Sequence, residues 1–145
     1  MMKKYIIPLS LLVVIIAIFA GYLFLKPQSI IIPGGTKDCG SEENIHGQGY
    51  DSSIRDCFYE AFQVCEPAKI YQKGYTIEGD PIETIAIIVG KQNSQCKVHV
   101  YVDSRDNFGF YGKYDMSCYN VQLDERNNRN FLIIDECDGG RSSYI

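Results

Sequence analysis

Two histidines, His46 and His99, are all that this chain has. A serine or cysteine hydrolase needs a histidine base held beside its nucleophile. Neither histidine stands in a motif that would supply one: His46 lies in the loop ENIHGQGYD, and His99 falls on the outward side of an alternating strand, so both read as surface residues. There is no H-E-x-x-H and no glycine-rich phosphate loop after a strand. No two of the six cysteines are closer than eight residues, which argues against the closely spaced pairs of structural zinc sites and the C-x-x-C of redox helices. After Lys26 the chain has 18 Asp and Glu against 11 Lys and Arg, a net charge of −7. Phosphate neutralisation needs a basic face, so nucleic acid is not an expected partner. Asp103, Asp106, Asn107 and Asp115 lie near one another but lack the D-x-D-x-D-G spacing of a calcium loop. No catalytic residue, metal ligand or cofactor is expected, and the balance leans away from an enzyme.

Acid is also missing from residues 5–25, which carry no charge at all. Lys3 and Lys4 precede this run and Lys26 closes it. Twenty-one residues in a helix span roughly 30 Å, the thickness of a hydrocarbon core. A cleaved signal peptide competes with a retained anchor. Cutting after Ala20 would put Ile18 at the outer small-residue position, and the apolar run continues through Tyr22, Leu23, Phe24 and Leu25. The anchor is favoured: residues 1–26 read as an uncleaved signal-anchor with the bilayer as partner of residues 5–25. The absence of cysteine before Cys39 removes a lipidated N-terminal cysteine, and the absence of an acid in the run speaks against a pilin-type leader. Positive flanks stay in the cytoplasm. The expected protein is therefore a single-pass protein of the cell membrane, with its N-terminus cytoplasmic and its bulk extracytoplasmic. Residues 27–38, with Pro27, Pro33, Gly34 and Gly35, read as a linker, and residues 39–145 as the exported domain.

The cysteines agree with export. Cys39, Cys57, Cys65, Cys96, Cys118 and Cys137 all follow the apolar run, and an even count in a small exported domain reads as a disulfide framework. From Asp51 the pattern is helical: Ile54, Cys57, Phe58, Ala61, Phe62 and Cys65 share one face of a 3.6-residue period. Ser53, with Asp56 three residues on, resembles a capping box, and Pro67 cannot continue the helix, which is placed over about Ser53–Cys65. Cys57 and Cys65 are then about 12 Å apart along the axis, beyond the ~7 Å Cα limit of a disulfide. They are not expected to bond to each other, and the remaining connectivity stays open.

After the helix the period changes. AKIYQKGYTI alternates in part, IETIAIIVGK is β-branched, and CKVHVYVD alternates cleanly, with Lys97, His99, Tyr101 and Asp103 outward. MSCYNVQL reads as one shorter strand and FLIIDEC as the last. The expected fold class is α+β: an N-terminal transmembrane helix, then one helix packed on a mostly antiparallel four- to five-stranded sheet, held by disulfides.

DCGS, DCFYEAFQVCEPAK, MSC and the terminal CDGG together resemble uncharacterised small exported archaeal and bacterial proteins. Those chains follow the pattern C-G-S, then C-F-x-x-A-x-x-x-C-x-P-A-K, a cysteine among strands, M-x-C and C-x-G. The matching residues are Cys39, Gly40, Ser41, Cys57, Phe58, Ala61, Cys65, Pro67, Ala68, Lys69, Cys96, Met116, Cys118, Cys137 and Gly139. This chain departs by a longer insert between Cys39 and Cys57. The resemblance carries no known activity and implies location and fold only.

The most unusual surface stretch is RDNFGFYGKYDMSCY. Phe108, Phe110, Tyr111 and Tyr114 crowd a glycine-punctuated connection there, with Tyr119 following. Aromatics stack on sugars and bury well against proteins, so these four form the candidate binding surface, against the reading that they fold back onto the sheet. The function expected is a membrane-anchored extracytoplasmic binding or assembly module, with a cell-surface protein or a glycan as partner. A cell-wall or glycan hydrolase and an accessory subunit of a membrane complex are the alternatives.

Overall fold

A computed structural model describes Ile15 and residues 32–44, 51–104, 112–126 and 129–145. The chain divides into two compact units, Met1–Ile31 and Ile32–Ile145, and the elements below all belong to the second. Among the described residues no helix is long and apolar enough to cross a membrane. Residues 5–25 lie outside the described residues, Ile15 excepted.

The spacing of Ile54, Phe58 and Ala61 makes one apolar face of helix α1, Ser52–Val64, and all three side chains are buried. The N-cap is Asp51, not Ser53. Its carboxylate accepts from the Ser53 backbone N–H at 2.9 Å and the Ser53 hydroxyl at 2.6 Å, satisfying a donor that a helix start leaves without an intrahelical partner. At the other end Cys65 turns to φ 55°, and its N–H donates to the Phe62 carbonyl at 3.0 Å while that of Glu66 donates to Ala61 at 2.9 Å. Pro67 then forbids another turn.

Strands β1 (Lys37–Glu43), β2 (Ala68–Tyr75), β3 (Pro81–Gln92), β4 (Gln95–Ser104) and β5 (Lys113–Cys118) form one sheet in that order. Strands β6 (Asn120–Arg126), β7 (Arg129–Asp135) and β8 (Ser143–Tyr144) form a second. β1 and β2 are parallel, with α1 as their crossover, and the other pairs are antiparallel. The expected α+β fold is thereby corrected: the described chain is mostly strand, eight strands in two sheets with one helix, and no membrane-crossing helix is among its elements.

Local causes account for two of the additional strands, the third being the two-residue β8. KDCGSEE has no alternation, and it is a strand because β2 offers a parallel partner after the helical crossover such pairing requires. MSCYNVQL is not one strand. The chain leaves the first sheet after Cys118 and enters the second at Asn120, so Met116 and Val121, both buried, belong to different sheets. The core lies where α1 meets both sheets: Phe58 packs in one cluster with Ile70, Ile88 and Val100 of the first and with Leu132 and Ile134 of the second, all 1% exposed or less.

Three disulfides staple this arrangement. Cys39 of β1 bonds Cys57 of α1, with Cα atoms 5.7 Å apart; Cys65, at the end of α1, bonds Cys96 of β4, at 5.5 Å; and Cys118, the last residue of β5, bonds Cys137, beyond β7. The first two hold the middle and the C-terminal end of the helix to the first sheet, and the third joins the two sheets. No cysteine is free.

Candidate binding face

The strand registers sort the side chains of the first sheet between its two faces. Ile70, Ala86, Val100 and Met116 pair across β2 to β5 and are buried in the core. Side chains alternate along a strand, so the residues one position away line the opposite face, on which no described element packs. One cross-strand row on that face is Tyr71, Ile85, Tyr101 and Asp115. The next row on one side is Glu43, Lys73, Glu83, Asp103 and Lys113; on the other side run Asp38, Lys69, Ile87, His99 and Ser117.

The charges on this face are largely matched. Lys69 Nζ is 2.9 Å from Asp38 Oδ2, Lys73 Nζ is 3.6 Å from Glu43 Oε1, Lys113 Nζ is 2.9 Å from Asp103 Oδ2, and His99 Nδ1 is 3.2 Å from Asp115 Oδ1. The hydrogen bond from Lys69, with help from the Gly40 N–H, holds Asp38 below the usual carboxylate range. Asp103, followed by Tyr101, raises Lys113. Burial, followed by the nearby Glu83 carboxylate, raises the Tyr71 phenol.

Tyr71 of β2 is close to Glu83 of β3, and Tyr101 of β4 is close to Lys113 of β5. Tyr75 donates its hydroxyl to Glu43, and Lys73 Nζ sits 5.2 Å from the Tyr75 ring centroid, so a cation takes one face of that ring. Ile87, between Lys69 and His99, is 1% exposed although it lies on this face.

The residues singled out from sequence fall elsewhere. Phe108, Phe110 and Tyr111 lie outside the described residues. Tyr114 is described but pairs with Val102 on the core side of the sheet, 37% exposed, with the Arg141 guanidinium 5.6 Å from its ring centroid. It does not join Tyr71 and Tyr101. The six cysteines are all taken up in the disulfides. His46, Asp106 and Asn107 lie outside the described residues, and Asp103 and Asp115 are engaged by Lys113 and His99. No metal-binding group of three His, Cys, Asp or Glu occurs among the described residues. His99 and Asp115 form a dyad, and Ser117 is the cross-strand partner of His99, yet among the described residues no hydrogen bond links Ser117 to the ring.

A second surface feature is a cleft on the outer face of the second sheet, lined by Asp124, Arg126, Phe131, Ile133 and Tyr144. Its volume is about 100 Å³, well short of the roughly 300 Å³ at which small-molecule pockets begin. Sequence reading passed over the tyrosine face because it weighed local crowding of aromatics. The signal was present in alternation: Tyr71, Lys73 and Tyr75 in AKIYQKGY, and His99, Tyr101 and Asp103 in CKVHVYVD, all fall on the face away from the core. Comparison with family models, with curated proteins and with solved structures finds no match to this chain.

Proposed function

We propose that this chain is an exported binding or assembly module held at a cell membrane through residues 5–25, and that its contact surface is the face of the five-stranded sheet away from the core. The observation that carries the reading is the row Tyr71–Ile85–Tyr101, an aromatic and apolar stripe on a face against which no described element packs, with Lys73, Glu83 and Asp103 on one side and Lys69, Ile87 and His99 on the other. Three disulfides with no free cysteine support an oxidising compartment, since such bonds form and persist outside the reducing cytoplasm. Lys3 and Lys4 before the apolar run support a cytoplasmic N-terminus.

A photo-activatable cross-linker at position 83, at the centre of the face, tests the contact surface on intact cells. It is expected to give a discrete adduct, protein or glycan, that the same group at Gln63, on the exposed side of α1, does not give. Equal labelling from the two positions, or none from either, would sink the reading. N-terminal sequencing of the mature protein tests the tether: a start at Gly21 would show cleavage and refute it.

A further inference from the structure

We infer that the end of the first sheet at which the chain enters the domain docks on the anionic lipid headgroups of the bilayer that holds residues 5–25. The inference rests on the tether in the reading above and adds a contact with lipid. Four strand ends meet there. Lys37 opens β1, and its N–H donates to the Pro67 carbonyl at 2.9 Å, just before β2. Lys91, near the end of β3, pairs with Cys96 of β4, and Lys97 pairs with Gly90. The Cys65–Cys96 bond, with Cα atoms 5.5 Å apart, brings Val64, the last residue of α1, to the same end. Lys37 and Lys91 are exposed and Lys97 is half-buried. None of the three forms an ion pair among the described residues. Val64 is 71% exposed.

Two observations point to lipid. The first is where the chain enters. Thr36 closes a turn, its N–H and its hydroxyl donating to the Pro33 carbonyl at 3.3 and 2.5 Å. Ile32, 49% exposed, is thereby held near the start of β1. It follows Lys26, which closes the apolar run, by six residues, a reach of about 20 Å at most. So short a connection keeps this end of the sheet within reach of the headgroups. The second is charge. Here Lys37, Lys69, Lys91 and Lys97 stand against Asp38 and Glu66. At the opposite end Glu43, Glu78, Asp80, Glu83 and Asp103 stand against Lys73 and Lys113, Glu42 being matched by Arg55. Glu136 and Asp138 lie to the side, at β5, where the Asp138 N–H donates to the Ser117 carbonyl at 2.9 Å. Lysines are drawn to an anionic surface within about a Debye length, and a neighbouring aliphatic side chain enters the headgroup layer. The acidic end is repelled, so the turn with Ile77 and Glu78 points away from the bilayer.

The test uses the full chain in nanodiscs of phosphatidylcholine, with or without about one-third phosphatidylglycerol, each carrying a gadolinium chelate on a lipid headgroup. In the anionic discs the backbone amide resonances of Lys37, Val64 and Lys91 are expected to broaden while those of Ile77 and Glu78 stay sharp. This readout on the unsubstituted chain needs no variant to fold. The contrast between the two ends should fall at least twofold in discs of phosphatidylcholine alone. The triple variant Lys37→Gln, Lys91→Gln, Lys97→Gln should lose that dependence on lipid charge, and Lys73→Gln with Lys113→Gln should keep it. Equal broadening at the two ends, broadening at Ile77 and Glu78 instead, or a pattern indifferent to both lipid charge and the triple variant would each overturn the inference while leaving the tether standing. A chain that alkaline carbonate strips from vesicles of the same lipids would overturn the tether and this inference with it.

Discussion

Arg55 of α1 and Glu42 of β1 form an ion pair whose side chains are 0% and 1% exposed. Further hydrogen bonds extend from both side chains. Glu42 Oε1 also accepts from Gln72 Nε2 at 3.1 Å, and Oε2 from the Asp51 N–H at 3.3 Å, at the cap of the helix. Arg55 Nε donates to the Ile145 carbonyl at 3.1 Å, and Ile145 exchanges backbone hydrogen bonds with Leu132 of β7 at 2.8 and 2.9 Å. One guanidinium therefore links the helix, the edge of the first sheet and the middle of the second.

Removing one member of such a pair leaves the other buried and uncompensated, which costs about 3–5 kcal/mol. Arg55→Ala and Glu42→Ala should each lower the stability of the chain by that order in chemical denaturation. The double substitution should cost less than the two singles combined, because each single already includes the stranded partner. Additive losses would show that the two side chains do not act as a unit.

The disulfide between Cys118 and Cys137 closes a separation of 19 residues and joins the two sheets. Replacing both cysteines with Ala should cost about 3 kcal/mol, read as a lower denaturation midpoint under oxidising conditions. Peptide mapping of the unreduced protein should return the pairs Cys39–Cys57, Cys65–Cys96 and Cys118–Cys137. A Cys57–Cys65 peptide would contradict the helix geometry as well as the pairing.

Asp51 is a helix cap whose carboxyl is held below its usual value by hydrogen bonds from the Ser53 hydroxyl and backbone N–H. A carboxylate with a depressed folded pKa stabilises the fold above its unfolded value, about 3.9, and that contribution is lost as pH falls through the lower folded value. The melting temperature should therefore decline below about pH 4. Asp51→Asn, which still accepts a hydrogen bond without a charge, should flatten that part of the acid limb. An unchanged profile would mean that other carboxylates carry it.

Exposure should decide the outcome of two apolar truncations of similar chemistry. Phe58 is 0% exposed at the meeting of helix and sheets, whereas Ile77 is 92% exposed in the β2–β3 connection. Phe58→Ala should cost about 3–5 kcal/mol, and Ile77→Ala should fall within about 0.5 kcal/mol of the unsubstituted chain. A comparable loss at both positions would contradict this placement of the core.

Local periodicity determined what was legible in the sequence. The spacing of Ile54, Phe58 and Ala61 identifies α1, and the alternation of CKVHVYVD identifies β4 with Tyr101 and His99 on the outward side. Helical rise alone separates Cys57 from Cys65. These readings need only neighbours within one element, where 3.6- and 2-residue periods act directly on the side chains. Arg55 was partly legible too, since it precedes Phe58 and Phe62 by three and seven residues on that same face. Its charge argued for the surface, and only Glu42, supplied by a strand the sequence does not announce, makes its burial tolerable. Tertiary structure alone decided that KDCGSEE pairs in parallel with β2, and that MSCYNVQL divides at Tyr119 between two sheets. It also decided that Tyr71 and Tyr101 stand level on either side of Ile85. Each of these depends on register and partner between segments distant in the chain, and no periodicity within a segment specifies the strand beside it.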